Sequence, residues 1–74
     1  MDRYHITKDG GEWKLRKEGN KIASKTASTK KEIIQEMQSF MKGKTGTVKI
    51  HNENGTIQEE RTYQRKDDPK ESKG

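Results

Sequence analysis

The chain has 74 residues, of which 39% are charged and 23% hydrophobic, and it carries a formal net charge of +5. It contains no cysteine, which excludes a disulfide framework and a thiolate metal site. A chain this short with so few apolar residues can form one small domain with a thin core. Residues 1–50 hold twelve basic and six acidic side chains, so the net positive charge is expected in this N-terminal part of the domain.

Two alternating segments at the start of the chain predict a β-hairpin. Tyr4 and Ile6 alternate with polar residues in the first segment, and Trp13 and Leu15 do so in the second. The Asp9-Gly10 step between them is a hairpin turn signal. A loop of these two residues pairs Ile6 with Trp13 and gathers all four apolar side chains on one face of the hairpin.

A third strand is predicted after a turn at Gly19-Asn20. Pairing across a two-residue turn at this point brings Ile22 onto the same face as Trp13. The same register places Lys25 on the opposite face. Residues 1–26 are therefore predicted to form a three-stranded meander.

The next segment has the spacing of an amphipathic helix. Thr29 and Glu32 have the spacing of a capping box, and Gly43 stands where a helix commonly ends. We therefore predict a helix from about residue 30 to residue 42. Its apolar stripe consists of Ile33, Ile34, Met37, Phe40 and Met41.

A second hairpin is predicted around Asn54-Gly55, which is a strong turn signal between two alternating runs. A two-residue loop pairs Ile50 with Glu59 and places Val48, Ile50 and Ile57 on one face. A loop with an odd number of residues would separate Ile57 from the other two.

These elements give the order β-β-β-α-β-β and an α+β fold, in which one amphipathic helix packs on one face of a mostly antiparallel sheet. Residues 1–63 form the predicted domain, and residues 64–74 are predicted to be a flexible charged tail. The other face of the sheet is expected to be open to solvent. Alternation assigns to it His5, Thr7, Lys14, Arg16, Lys25, Thr47, Lys49, His51, Gln58, Glu60 and Thr62.

Several segments resemble a family of short bacterial proteins known as domain-of-unknown-function family 2188. They are the run from Trp13 to Gly19, the helix start at residues 29–32, the segment from His51 to Gln58, and the pairs Thr62-Tyr63 and Asp68-Pro69. The resemblance extends over nearly the whole chain. Since no activity, cofactor or partner is established for the family, the resemblance implies the fold and adds little about function.

Three kinds of chemistry find little support in the sequence. Gly43-Lys44-Thr45 is similar to the end of a phosphate-binding loop, but it lacks the first glycine and follows a helix instead of preceding one. His5 and His51 could share the open face, yet a zinc site normally has three or four ligands. No nucleophile with a nearby base is apparent. We therefore expect no enzyme activity, no cofactor and no metal site.

The basic residues of the open face suggest one function. Lysine and arginine side chains on one face could contact the phosphates of a nucleic-acid backbone without sequence preference. The candidates are Lys14, Arg16, Lys25 and Lys49. A basic strand face is also often only the solvated side of a half-buried sheet, so this interpretation stays open.

The alternative is a module that forms a homodimer or binds a protein partner through a sheet edge. The start of the chain lacks the apolar region of a signal peptide, and no apolar run is long enough to span a membrane. We therefore expect a cytoplasmic protein without a membrane partner or a small-molecule substrate.

Overall fold

A computed structural model describes residues 2–64 of the chain. The order of elements is β-β-β-α-β-β, as the sequence predicts. The predicted tail, residues 64–74, lies outside the described residues apart from Gln64. The elements are β1 (Asp2–Asp9), β2 (Glu12–Lys17), β3 (Lys25–Ala27), α1 (Lys30–Met41), β4 (Gly46–His51) and β5 (Ile57–Tyr63).

The five strands form one mixed sheet in the order β3-β2-β1-β4-β5. Strands β1 and β4 are parallel, and every other neighbouring pair is antiparallel. Parallel neighbours need a long crossover connection, and here α1 lies in that connection between the edge strand β3 and the inner strand β4. The chain thus passes through α1 from the β3 edge of the sheet to the other side of β1.

The helix begins and ends where the capping residues predict. The hydroxyl oxygen of Thr29 accepts a hydrogen bond of 3.1 Å from the backbone N–H of Glu32. After the last turn, Gly43 adopts a positive φ of 79°, and the N–H of Lys44 donates to the carbonyl oxygen of Met41 at 2.9 Å. In the part of the chain that the structure describes, no helix is long and apolar enough to cross a membrane.

The core lies between α1 and one face of the sheet. Trp13 is only 4% exposed, so it faces the helix as the alternation predicts. Ala27, Ile34, Phe40 and Tyr63 are partly buried against the same cluster. The buried residues are Tyr4, Ile6, Trp13, Leu15, Ile33, Met37, Met41, Val48 and Ile50.

The first hairpin keeps the predicted faces but has a different register. Ile6 lies opposite Leu15, not Trp13, and the loop is formed by Gly10 and Gly11. Both glycines have positive φ, 61° and 85°, which suits a tight hairpin turn better than an aspartate at the first position would. The register moves by two residues, so the same side chains still face the core.

The turn after β2 differs more from the prediction. Only Gly19 has a positive φ there, and the N–H of Asn20 donates to the carbonyl oxygen of Lys17 at 2.9 Å. The connection then continues irregularly to β3, where Leu15 lies opposite Lys25. The predicted register is therefore wrong by one residue, and Ile22 is 83% exposed instead of buried.

The second hairpin has a three-residue loop. The N–H of Asn52 donates to the carbonyl oxygen of Thr56 at 2.7 Å. The strand partner of Ile57 is therefore His51, whereas the two-residue loop predicted Asn52. A bulge next to this pair restores the predicted match of Ile50 with Glu59. The odd loop separates Ile57 from the core, and Ile57 is 53% exposed.

The bulge also changes the position of Gln58. The Lys30 ammonium group at the start of α1 donates a hydrogen bond to the Gln58 side chain. Gln58 is therefore accessible from the helix side of the sheet, and its assignment to the open face is wrong.

We expect two identical substitutions to separate buried from exposed isoleucine. Ile33→Ala removes a fully buried side chain and should lower the free energy of unfolding by about 2–5 kcal/mol. Ile22→Ala, the matched control, should change it by less than about 0.5 kcal/mol because Ile22 is exposed. Urea denaturation measures both values, and an equally large loss at Ile22 would contradict the observed register.

Candidate functional site

Strand register places a row of basic side chains across the middle of the open face. Arg16 on β2 lies opposite His5 on β1, and His5 lies opposite Lys49 on β4. These three strands are neighbours, so Arg16 and Lys49 are two strand spacings apart, about 10 Å. The residues that alternate with the row along each strand are buried against α1. The row therefore lies on the face of the sheet that points away from α1.

Three of the four predicted nucleic-acid contacts lie on this face. Arg16 and Lys49 belong to the row, and Lys14 lies one step along β2 on the same side. Lys25 does not join them, because it lies opposite the buried Leu15 and therefore shares the helix side. The prediction for Lys25 is wrong for the same reason as the register of β3.

The three remaining cations differ in their partners. Lys14 forms an ion pair with Asp9, with 3.2 Å between Nζ and Oδ2. Among residues 2–64, neither Arg16 nor Lys49 forms a side-chain hydrogen bond or an ion pair. An anion bound at this face would therefore compete with Asp9 for Lys14. Lys49 has the carboxylates of Glu18 and of Glu60, its partner on β5, nearby but forms an ion pair with neither.

Arg16 borders a cleft of about 290 Å³. Its Nε is shielded from solvent and has no hydrogen-bond partner among the described residues. Buried donors are usually satisfied, so an unpaired guanidinium N–H is a position where an acceptor would be stabilising. The other residues around the cleft are His5, Thr7, Lys17, Glu18, Gly19 and Asn20.

A chain of close polar contacts runs beside the cleft. Nδ1 of His5 lies 3.0 Å from Nε2 of His51, and Nε2 of His5 lies 3.0 Å from Oε1 of Glu18. At the far end, Nδ1 of His51 lies 3.0 Å from the carbonyl oxygen of Gly55. The turn at Gly55 thus fixes one histidine, and the turn after β2 fixes the other through Glu18.

The contact between the two histidines could not be read from the sequence. Alternation places both on the open face, but only the parallel pairing of β1 with β4 makes them neighbours. No local pattern specifies that pairing, because it depends on the path of the crossover through α1. Glu18 is likewise brought to His5 by a turn whose shape the sequence did not predict.

The same contacts lower the pKa of Glu18 below its ordinary value. The hydrogen bond from His5 is the largest cause, and the nearby charges of Arg3 and Lys49 also favour the ionised carboxylate. Arg3 lies 3.8 Å from the carboxylate. Glu18 is therefore ionised over the neutral range and offsets part of the positive charge of the row.

Comparison with known protein families gives a match over most of the chain. Residues 4–63 match a family described as "Uncharacterized protein conserved in bacteria (DUF2188)". The chain belongs to the DUF2188 family. Neither the curated proteins nor the solved structures include a significant match. Membership in DUF2188 confirms the resemblance seen in the sequence and assigns no activity.

The open face of this DUF2188 domain carries hydrogen-bond donors and positive charge, the groups that an anion requires. Among residues 2–64, no group of three or more histidine, aspartate or glutamate side chains lies close enough together to hold a metal ion. The chemistry on this face therefore consists of an unpaired guanidinium, an unpaired ammonium group and the histidine pair.

We expect the Glu18 carboxyl group of this DUF2188 protein to titrate below its ordinary value of 4.5, because His5 donates a hydrogen bond to the ionised form. The folded-state pKa is then lower than the unfolded one. The contact stabilises the fold above the unfolded pKa, and this contribution is lost as the pH falls through the folded pKa. The carboxyl ¹³C shift measures the titration directly.

His5→Ala should raise the pKa of Glu18 toward its ordinary value, because it removes the largest cause of the shift. Thr7→Ala is the control on the same strand and should leave the pKa unchanged. A Glu18 pKa at or above 4.5 in the unsubstituted protein would show that the contact with His5 does not form.

Proposed function

We propose that the open face binds a nucleic-acid backbone without sequence preference, using Arg16 and Lys49 with help from Lys14. The observation that carries the proposal is the unpaired state of Arg16 and Lys49 in the middle of this face. Most other cations on the first two strands are already paired with carboxylates, for example Lys17 with Asp2 and Lys14 with Asp9. A phosphate would be the missing acceptor for the Arg16 guanidinium.

The position of the aromatic residues favours backbone contacts over base contacts. Tyr4 and Trp13 are buried beneath α1. Single-stranded nucleic acids are usually bound by stacking bases on exposed aromatic rings. Without such rings on the open face, binding rests on charge and on hydrogen bonds to phosphate oxygens, which contain no sequence information.

The number of phosphate contacts determines how strongly salt weakens binding. Each neutralised phosphate contributes a slope of about −0.9 to the dependence of log K on log salt for duplex DNA. Contacts from Arg16 and Lys49 alone give a slope of about −2, and a contact from Lys14 brings it close to −3. Binding is therefore expected at low salt and should weaken steeply as salt rises.

Alanine substitutions test these contacts with a matched control. Lys49→Ala should weaken binding to a labelled duplex and make the salt slope less steep by about 0.9, because one phosphate contact is lost. Lys25→Ala removes the same charge from an exposed residue on the other side of the sheet and should leave the slope unchanged. Fluorescence anisotropy across a salt series measures both.

Two results would reject the proposal. One is the absence of duplex binding at low salt. The other is an equal loss in Lys49→Ala and Lys25→Ala, which would show that only the net charge matters and not the face on which it lies.

A second candidate function is pairing through the β5 edge. Among the described residues, β5 pairs only with β4, so the outer edge of a seven-residue strand is available to another strand. Ile57 on this strand is 53% exposed. These two features favour strand addition by a second copy of the chain or by an extended peptide.

Sedimentation velocity across a concentration series tests this candidate. Self-association through β5 should give a mass that rises with concentration, and Ile57→Lys should reduce the association by placing charge on the edge. Ile22→Lys is the control, since Ile22 is also exposed but lies outside the strands. A monomer at every concentration would exclude the homodimer.

A further inference from the structure

The histidine pair on the open face has an unusual arrangement of its four ring nitrogens. Nδ1 of His5 and Nε2 of His51 face each other at 3.0 Å. The other nitrogen of each ring faces an oxygen, Oε1 of Glu18 for His5 and the carbonyl oxygen of Gly55 for His51. A carboxylate oxygen and a carbonyl oxygen both accept hydrogen bonds, so each outer contact is suited to a ring N–H.

These two acceptors determine the tautomers. Each outer nitrogen must carry a hydrogen in order to donate to its oxygen, and a neutral imidazole has only one N–H. When both rings are neutral, the two inner nitrogens therefore present lone pairs to each other across 3.0 Å. These lone pairs repel unless a cation, either a proton or a metal ion, lies between them.

We propose that His5 and His51 are two ligands of a divalent transition-metal ion. Imidazole nitrogens bind zinc at about 2.0–2.1 Å, so two of them lie about 2.9 Å apart at a right angle and about 3.3 Å apart in a tetrahedron. The observed 3.0 Å falls within this range. The outer contacts are also those of metal-binding histidines, whose second N–H usually donates to a carboxylate or to a backbone carbonyl.

The sequence predicts no metal site because it offers only two histidine ligands. The structure favours a site despite this number, since each ring is held by its own oxygen partner before the ion binds. The cleft beside His5 has a volume of about 290 Å³ and leaves room for water molecules as the remaining ligands. The site is thus an open one, with coordination positions free for solvent or for a further ligand.

The ligand type selects the metal. Imidazole suits Cu²⁺, Ni²⁺ and Zn²⁺, whereas Mg²⁺ and Ca²⁺ prefer oxygen. Affinity should follow the general order in which Cu²⁺ binds more tightly than Zn²⁺. Arg16 and Lys49 flank His5 on the neighbouring strands, so their charges weaken the binding of any cation. Metal binding by the two histidines does not require the proposed binding to nucleic acid, although His5 lies between the two proposed phosphate contacts.

Calorimetric titration of the untagged, full-length protein with Zn²⁺, Cu²⁺ and Mg²⁺ tests the proposal. We expect binding of Cu²⁺ and Zn²⁺, tighter for Cu²⁺, and no binding of Mg²⁺. His5→Ala and His51→Ala should each weaken Zn²⁺ binding by more than about 100-fold, while Glu18→Gln, which removes one negative charge and alters the outer contact but keeps both ligands, should weaken it by about 10-fold.

Lys49→Ala supplies a readout that a folding defect would not give. It removes a neighbouring positive charge and should therefore tighten Zn²⁺ binding, whereas a damaged fold would weaken it. Amide and ring ¹⁵N spectra of each variant show whether the fold is intact and whether the two inner nitrogens bind the ion.

Three results would overturn the proposal. The first is the absence of Cu²⁺ and Zn²⁺ binding to the unsubstituted protein. The second is binding that survives both histidine substitutions and so occurs elsewhere, for example at the terminal amine. The third is a ring ¹⁵N spectrum with a hydrogen retained between the two inner nitrogens when Zn²⁺ is present in excess.

Discussion

Burial of nine side chains between one twelve-residue helix and one face of the sheet is the constraint on which the rest of the structure depends. The chain has few other apolar residues, so each strand must turn its apolar set toward α1. Alternation then assigns the intervening residues to the opposite face, where solvent permits charge. The packing of Trp13 and Leu15 against α1 thus also determines the face on which Arg16, His5 and Lys49 lie.

The parallel pairing of β1 with β4 brings the functional residues of the open face next to one another. It brings together residues that lie more than forty positions apart, such as His5 and His51. The approach is close, because a Cβ at Gly46 would lie 2.8 Å from the carbonyl oxygen of Asp2 and 3.3 Å from Cε of Met41. A glycine at the start of β4 therefore lets the helix end and β1 meet the strand.

Much of the fold could be predicted from the sequence because local rules govern it. The helix follows from the Thr29 cap, the apolar spacing and Gly43, and the burial of Trp13 follows from alternation. The errors occur where loop length is decided by backbone conformation. The Gly10-Gly11 turn shifts the register of the first hairpin by two residues from the prediction, so the same side chains still face the core. The longer connection after Gly19 shifts β3 by one residue, which places Lys25 on the helix side instead of the open face. The histidine contact depends on strand order, which no local pattern specifies.

One face of the sheet packs on α1 while the other brings the two histidines together. Nuclear Overhauser spectroscopy of the full-length protein measures both arrangements in one experiment. We expect cross peaks between the rings of His5 and His51, and from the Trp13 indole to Ala27 and Lys30, which lie next to it on the helix side. Cross peaks from the Trp13 indole to His5 or Lys49, with none to Ala27 or Lys30, would contradict this arrangement.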